Sequence, residues 1–330
     1  MKIAVIALTR GGKKLAKNIC RLQPDCFMDT RTVPVFTKMA ELWQEVDCLI
    51  CVMAAAIVVR GLVPLCQNKK NDPCVLVLDE KGRFVISLLS GHLGGGNRLA
   101  IELARKLGGQ AVITTASDVT GHTALDLWAE KNNLFVENRK KLTAMSAKLV
   151  NEGWLQLFSE YENVSLPDDF HLVPTPSNAD IIVAHRAYPD CRGLLLQPRT
   201  LTVGLGCNRG CKKEDFQAAL DELCQDEGLA RTAICSFASI DLKNDEQGLL
   251  DFALAEGIPL RFYTKEQLNA VQGVSTSAAV LAATGAKGVA EPAAVLGAET
   301  DLGPGQLIVR KKKWKDVTAA VATKQIRLLA

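Results

Sequence analysis

Phe84-Val85-Ile86-Ser87-Leu88-Leu89-Ser90-Gly91-His92-Leu93-Gly94-Gly95-Gly96-Asn97-Arg98-Leu99-Ala100 is the stretch on which the fold reading turns. A β-prone apolar run enters a loop holding four glycines and one histidine. Residues 98–107 then carry apolar positions at helical spacing and stop at Gly108-Gly109. Glycines at a strand-to-helix turn let the backbone approach a ligand, and free N–H groups at a helix start attract anions. A histidine held there moves protons near neutral pH. The stretch therefore reads as an anion site with an acid/base group, against the competing reading of a purely structural glycine turn. Gly91 to Gly96 fits neither the dinucleotide fingerprint nor the P-loop, since position 93 is leucine and no Lys-Ser/Thr pair follows.

Outward from it, short β-like runs alternate with helical patterns, which predicts an α/β fold. The expected architecture is two three-layer α/β domains with largely parallel sheets, over 1–137 and 199–330, joined by a smaller middle region or linker at 138–198. In the first domain the strands read 3–8, 46–53, 74–78, 84–89 and 111–115, with helices at 13–22 and 123–131. Ligands gather at the carboxyl ends of parallel strands. Thr9-Arg10, Arg60, Ser90 to Asn97 and Thr114 to Asp118 all take such positions, so one open cleft is expected to collect them. The middle region holds five prolines, Pro167, Pro174, Pro176, Pro189 and Pro198, and only brief apolar runs. The second domain opens with a strand at 201–203, a glycine loop at 204–210 and a helix at 214–224. A strand at 232–240 and a helix at 247–256 follow.

Composition bounds the function. The 330 residues exceed one typical core, and 48% are hydrophobic but only 5% aromatic, too few for base-stacking platforms. A formal charge of +3 implies no polyanionic partner, so neither nucleic acid nor a membrane surface is expected. The densest basic run, 310–315, reads as a solvated hairpin turn. No secretory signal is visible, and the longest apolar run, 48–59, has 12 residues, short of the roughly 18 needed to span a bilayer. A cytoplasmic location is expected. Eleven cysteines are scattered, with no disulfide framework. Cys48 and Cys51 form a C-x-x-C inside a strand; Cys207 and Cys211 are the better ligand pair, but no second pair at zinc spacing accompanies them.

His92 is the leading acid/base candidate, ahead of His122, while His171 and His185 have no readable partners. Gly204 to Gly210 resembles dinucleotide-binding variants, with Asp241 as a distant ribose acid. Arg209 in that loop suits a substrate carboxylate. Lys243 to Glu246 opens a helix, and Gly273 to Ser277 offers hydroxyls for capping or for an anion.

Taken together these residues resemble the cobalt-precorrin 5A hydrolases of anaerobic cobalamin biosynthesis. The resemblance is carried by Ile57-Val58-Val59-Arg60, Asp72-Pro73, Val75 to Asp79, Leu88-Leu89-Ser90-Gly91-His92-Leu93-Gly94-Gly95 and Thr114-Thr115-Ala116-Ser117-Asp118. It continues through Val203-Gly204-Leu205-Gly206-Cys207-Asn208-Arg209-Gly210, Lys243 with Glu246 to Leu249, and Gly273-Val274-Ser275. Both outer domains are covered; the middle is divergent. The resemblance implies opening of the δ-lactone of a ring-contracted cobalt tetrapyrrole, with release of acetaldehyde. His92 is then the expected base or proton shuttle, with Asp118 orienting it. The amides of 91–97 (Gly91, Gly94, Gly95, Gly96, Asn97) would form the oxyanion or carboxylate site with Ser90 and Thr115. Arg10, Arg60, Gly206, Arg209, Lys243 and Ser275 would hold the substrate, lying between the outer domains. Cobalt travels in the substrate, so no protein metal site or other cofactor is expected. A homodimer and transient contact with neighbouring pathway methyltransferases are the further partners. The alternatives are a non-catalytic corrinoid-binding module and a dinucleotide-dependent enzyme.

Overall fold

The computed structural model describes residues 1–330 except 68–70, 93 and 163. The chain forms two compact units, Met1–Leu127 and Trp128–Ala330. The first is built on one six-stranded sheet in the order β2-β1-β3-β4-β5-β6. Its strands are β1 (Ile3–Ala7), β2 (Cys26–Met28), β3 (Cys48–Val52), β4 (Cys74–Leu78), β5 (Phe84–Leu89) and β6 (Gln110–Val112). The helices are α1 (Arg10–Leu22), α2 (Val35–Leu42), α3 (Ala55–Leu62), α4 (Gly96–Leu107), α5 (Ala116–Thr120) and α6 (Leu125–Lys131), which runs across the boundary between the units.

Alternation explains the continuous apolar strands. Ile3, Val5, Ile50 and Leu76 pack with Ile19 of α1 and Leu103 of α4, while Ala4, Ile6, Leu49 and Val77 pack with Met39 of α2 and Val58 of α3. Strands covered on both faces need no polar face. The same period of two places Cys48 among the α1/α4 contacts and Cys51 among the α2/α3 contacts, on opposite sides of the sheet. Adjacent in sequence pattern, they cannot share a ligand.

The sheet departs from the parallel expectation at one place. β1 through β4 run parallel, but β5 pairs antiparallel with β4, Leu78 opposite Val85 and Val75 opposite Leu89, and β6 runs parallel to β5. The glycine loop after β5 therefore leaves the sheet at the edge where β1, β3 and β4 begin. Thr9 and Arg10 leave at the other edge. The single cleft expected to collect them is not formed.

The second unit contains two sheets. Residues 138–198 hold strands β8 (Leu155–Ser159), β9 (Phe170–Leu172), β10 (Ile181–Val183) and β11 (Leu194–Pro198), joined at the edge by β7 (Leu134–Val136), which pairs antiparallel with β11. Helix α7 (Arg139–Glu152) precedes β8. The last sheet is ordered β14-β13-β12-β16-β15, from β12 (Leu201–Cys207), β13 (Ile234–Ile240), β14 (Leu260–Tyr263), β15 (Gln306–Lys313) and β16 (Val317–Thr323). Its helices are α8 (Lys213–Glu227), α9 (Gln247–Glu256), α10 (Lys265–Ala270), α11 (Ala278–Thr284) and α12 (Ala290–Gly297). Phe237 and Phe252, with ring centroids 4.8 Å apart, anchor one face beside Phe216. Among the described residues no helix is long and apolar enough to cross a membrane.

Gly204 and Gly206 lie inside β12 rather than in a loop. A Cβ on Gly204 would stand 1.9 Å from the carbonyl oxygen of Ala290, and one on Gly206 would stand 2.6 Å from Thr318 Oγ1. Gly204 admits α12 onto the strand and Gly206 admits the Thr318 side chain of β16, close approach being the usual meaning of strand glycine, and neither forms a phosphate-binding turn. Gly204→Ala is expected to push α12 off the sheet and cost about 1–3 kcal/mol by overpacking, read as a lower urea midpoint; an unchanged midpoint would refute this packing.

Candidate active site

The loop between β5 and α4 is shaped by close contacts. Ser90 takes a left-handed φ of 51° and its Oγ donates to the Asp72 carbonyl at 3.1 Å. Gly91 lacks a Cβ where one would lie 2.3 Å from Asn97 Oδ1, and a Cβ on Gly94 would lie 2.5 Å from the Ser90 carbonyl. Gly95 has φ 73° at the start of α4. A Cβ on Gly96 would stand 3.1 Å from Ser87 Oγ, inside ordinary contact. Gly91, Gly94 and Gly96 thus have packing reasons, and Gly95 a backbone one. The amides of Gly95, Gly96 and Asn97 already donate to the carbonyls of His92 (2.8 Å), Ser90 (3.4 Å) and Gly91 (2.8 Å). These three are not open donors, which corrects the expectation that the loop amides jointly cradle an anion. Leu93, part of the same motif, lies outside the described residues.

What the loop builds instead is a side-chain cluster. Asn97 is buried at the first turn of α4, and its Nδ2 donates to Thr115 Oγ1 at 3.0 Å and to Asp118 Oδ2 at 2.7 Å. The same Asp118 oxygen lies 2.7 Å from His92 Nε2. A carboxylate only accepts, so Nε2 carries the proton in that pair. On the other side of the ring, Nδ1 lies 3.6 Å from Asp126 Oδ1, outside hydrogen-bond distance. The His92 side chain keeps 17% of its exposure, enough for a small reactant to reach it. His92, Asn97, Thr115 and Asp118 are therefore brought together as the sequence suggested. Asp126 was missed; its one signal was its place in the first turn of α6, close after Asp118.

Arg10 and Arg60 are not part of this cluster. Arg10 opens α1 at the opposite sheet edge, and Arg60 is exposed in the last turn of α3.

In the second unit Gly206, Lys243 and Ser275 line one cavity of about 330 Å³. Lys243 is 9% exposed, with Nζ 3.3 Å from Glu246 Oε2. Arg209 is elsewhere: it pairs with Asp245 and donates to the Leu242 carbonyl at 2.7 Å. Cys207 also lines the cavity, its thiol pushed up to about 12 by burial, so it stays protonated. The β15–β16 hairpin is present as the basic run implied, yet Lys311, Lys313, Trp314 and Lys315 line the cavity, a role missed in the sequence. His185, without a readable partner in the sequence, is buried with Nδ1 3.1 Å from Glu160 Oε2.

Residues 37–118 match the family described as Cobalamin synthesis G N-terminal, and residues 201–322 match Cobalamin synthesis G C-terminus. A cobalt-precorrin-5A hydrolase of Priestia megaterium is 32% identical over 97% of this chain and 94% of its own length. One from Salmonella typhimurium is 30% identical over 96% of each. Among solved structures, a cobalamin biosynthesis protein G homolog from Sulfolobus solfataricus covers 98% of this chain and 97% of its own, at 20% identity and a TM-score of 0.38.

The cavity floor is organised by Glu291, 2% exposed at the start of α12. Its carboxylate accepts from Ser275 N at 2.6 Å, Ser275 Oγ at 3.0 Å and Lys311 N at 2.9 Å. Burial pushes the carboxyl up, but those donors, with Arg310 nearby, outweigh it and hold the group below the usual glutamate range. A depressed folded-state value gives stability that is full above the unfolded pKa of about 4.3 and lost as pH falls through the folded one. Glu291→Gln is therefore expected to lower the urea midpoint at pH 7, with the gap to the parent closing as pH drops below about 4. A gap that stays constant with pH would show that Glu291 is not held as a carboxylate.

Proposed function

Because this chain belongs to the cobalt-precorrin-5A hydrolase family, we propose that it opens the δ-lactone of cobalt-precorrin 5A and releases acetaldehyde to give cobalt-precorrin 5B. The observation that carries the reading is the match along 97% of the chain to a relative of that name. The geometry that supports it is an accessible imidazole fixed by a carboxylate at one nitrogen.

Lactone hydrolysis needs a base to activate water and a group to return the proton. Asp118 orients His92 through Nε2–H, as a carboxylate orients the base of a hydrolytic triad. Nδ1 is then the nitrogen that takes the proton of the attacking water. The new C–O bond forms at the lactone carbonyl and the acyl–oxygen bond breaks, leaving an alkoxide and a ring-borne carboxylic acid that gives its proton, the second one of the water, to solvent. The alkoxide pair becomes the C=O of acetaldehyde as the C–C bond to the macrocycle breaks. The conjugated ring takes up the released electron pair, and the imidazolium returns its proton to the ring carbon. Asp126, near Nδ1, stabilises the imidazolium between the two transfers. Cobalt enters as part of the substrate.

His92→Ala is expected to lower turnover by about 10²–10⁴-fold with the fold intact, measured as acetaldehyde release and as ring-opened product by mass spectrometry. Asp118→Asn is expected to fall in the same direction with KM little changed. Near-normal turnover in His92→Ala would overturn the assignment, and a parent chain that binds the lactone without releasing acetaldehyde would be a corrinoid carrier.

A further inference from the structure

We propose that the cavity of the second unit binds the carboxylate arms of the tetrapyrrole, gripping them with the lysines of the β15–β16 hairpin. The choice of macrocycle rests on the proposed reaction; the chemistry of the cavity stands on its own residues.

The strand sorts its cations. Lys312 turns to the end of α8, where Nζ lies 3.1 Å from Asp226 Oδ2 and 2.6 Å from Glu227 Oε1. Lys311, Lys313 and Lys315 are exposed, line the cavity, and make no ion pair with another described residue. Alternate strand residues face opposite sides, so this division is built into the hairpin. The cavity also contains two carboxylates, but both are engaged by the protein. Glu291 accepts two backbone N–H groups and the Ser275 hydroxyl, and Asp316 accepts Asn208 Nδ2 at 2.9 Å. The three hairpin lysines outnumber these two carboxylates, so the lining is cationic on balance.

The remaining wall is apolar, from Val280 and Ala283 of α11, Val289 and the half-buried Trp314. Ammonium groups beside an apolar wall suit a ligand with acid arms on a hydrophobic ring edge. At about 330 Å³ the cavity lies near the small end of ligand pockets, so it takes arms and one edge rather than a whole macrocycle. A dinucleotide is disfavoured, because Gly204 and Gly206 are strand residues packed on α12 and Thr318 and offer no turn of free amides.

The test uses the full chain and two corrinoids with the same ring, dicyanocobyrinic acid with free carboxylate arms and dicyanocobinamide with amidated ones, titrated calorimetrically at low and moderate salt. The acid is expected to bind, with cobinamide weaker by about tenfold or more and binding of the acid falling with salt. A Lys311→Gln/Lys313→Gln/Lys315→Gln variant, folded by circular dichroism, is expected to bind the acid about tenfold more weakly and with a shallower salt dependence. Lys312→Gln is expected to bind like the parent. Equal binding of acid and cobinamide, or a triple variant that binds like the parent, would overturn the proposal. His92→Ala is expected to bind the acid normally. If His92→Ala keeps releasing acetaldehyde while the triple variant loses the acid, the catalytic assignment fails and the arm-binding site stands.

Discussion

Asp79 turns the chain at the end of β4. Its carboxylate accepts the N–H of Lys81 at 2.8 Å and of Phe84 at 2.7 Å, and Gly82 supplies the left-handed residue at φ 66°. The strand that follows must run back along β4, and the glycine loop at its far end must emerge beside Cys74 and Asp72. From there β6, parallel to β5, delivers Thr115 and Asp118 to the same edge. The meeting of His92 with Asp118 is thus a consequence of strand direction. Had β5 continued the parallel series, the loop would have opened beside Thr9 and Arg10 instead.

Buried polar groups organise both sites, with carboxylates as the main hubs. Asn97 ties the loop to Thr115 and Asp118 in the first unit. Glu291 ties the 275 turn to β15 in the second, and Glu246 holds Gly210 N at 2.7 Å together with Lys243. An unpartnered buried polar group is costly, so each hub is stable only when its partners stay in place. That requirement is what keeps loops from different parts of the sequence at fixed positions around His92 and around the cavity.

Much of the fold was legible. β4 and β5 lie where their apolar runs placed them, and α9 occupies 247–256 as read. Strand polarity was missed, although a signal was present: only five residues separate Leu78 from Phe84, and a parallel crossover needs a dozen or more. Glycine was misread twice for the same reason. In the loop and in β12 its role is set by a side chain or helix from elsewhere in the chain, Asn97 in one case and α12 in the other. Local spacing does not reveal such partners. The lysine hairpin was read correctly as a hairpin, but whether a strand's cations are paired depends on α8, far away in sequence.

The two sites differ in the kind of work their groups can do. Exposed ammonium groups around an open cavity act over several ångströms and contribute modestly per contact, which suits recognition of several acid arms at once. A single imidazole locked by a carboxylate contributes little to affinity but fixes one proton's position, and general-base chemistry requires that. Binding energy collected on unreactive parts of a large substrate can be used to orient its reacting centre. A macrocycle carrying many acid groups and one reactive lactone presents both demands. His92, held through Nε2 by Asp118, is a group of the second kind, and the lysines that line the cavity of the other unit are groups of the first.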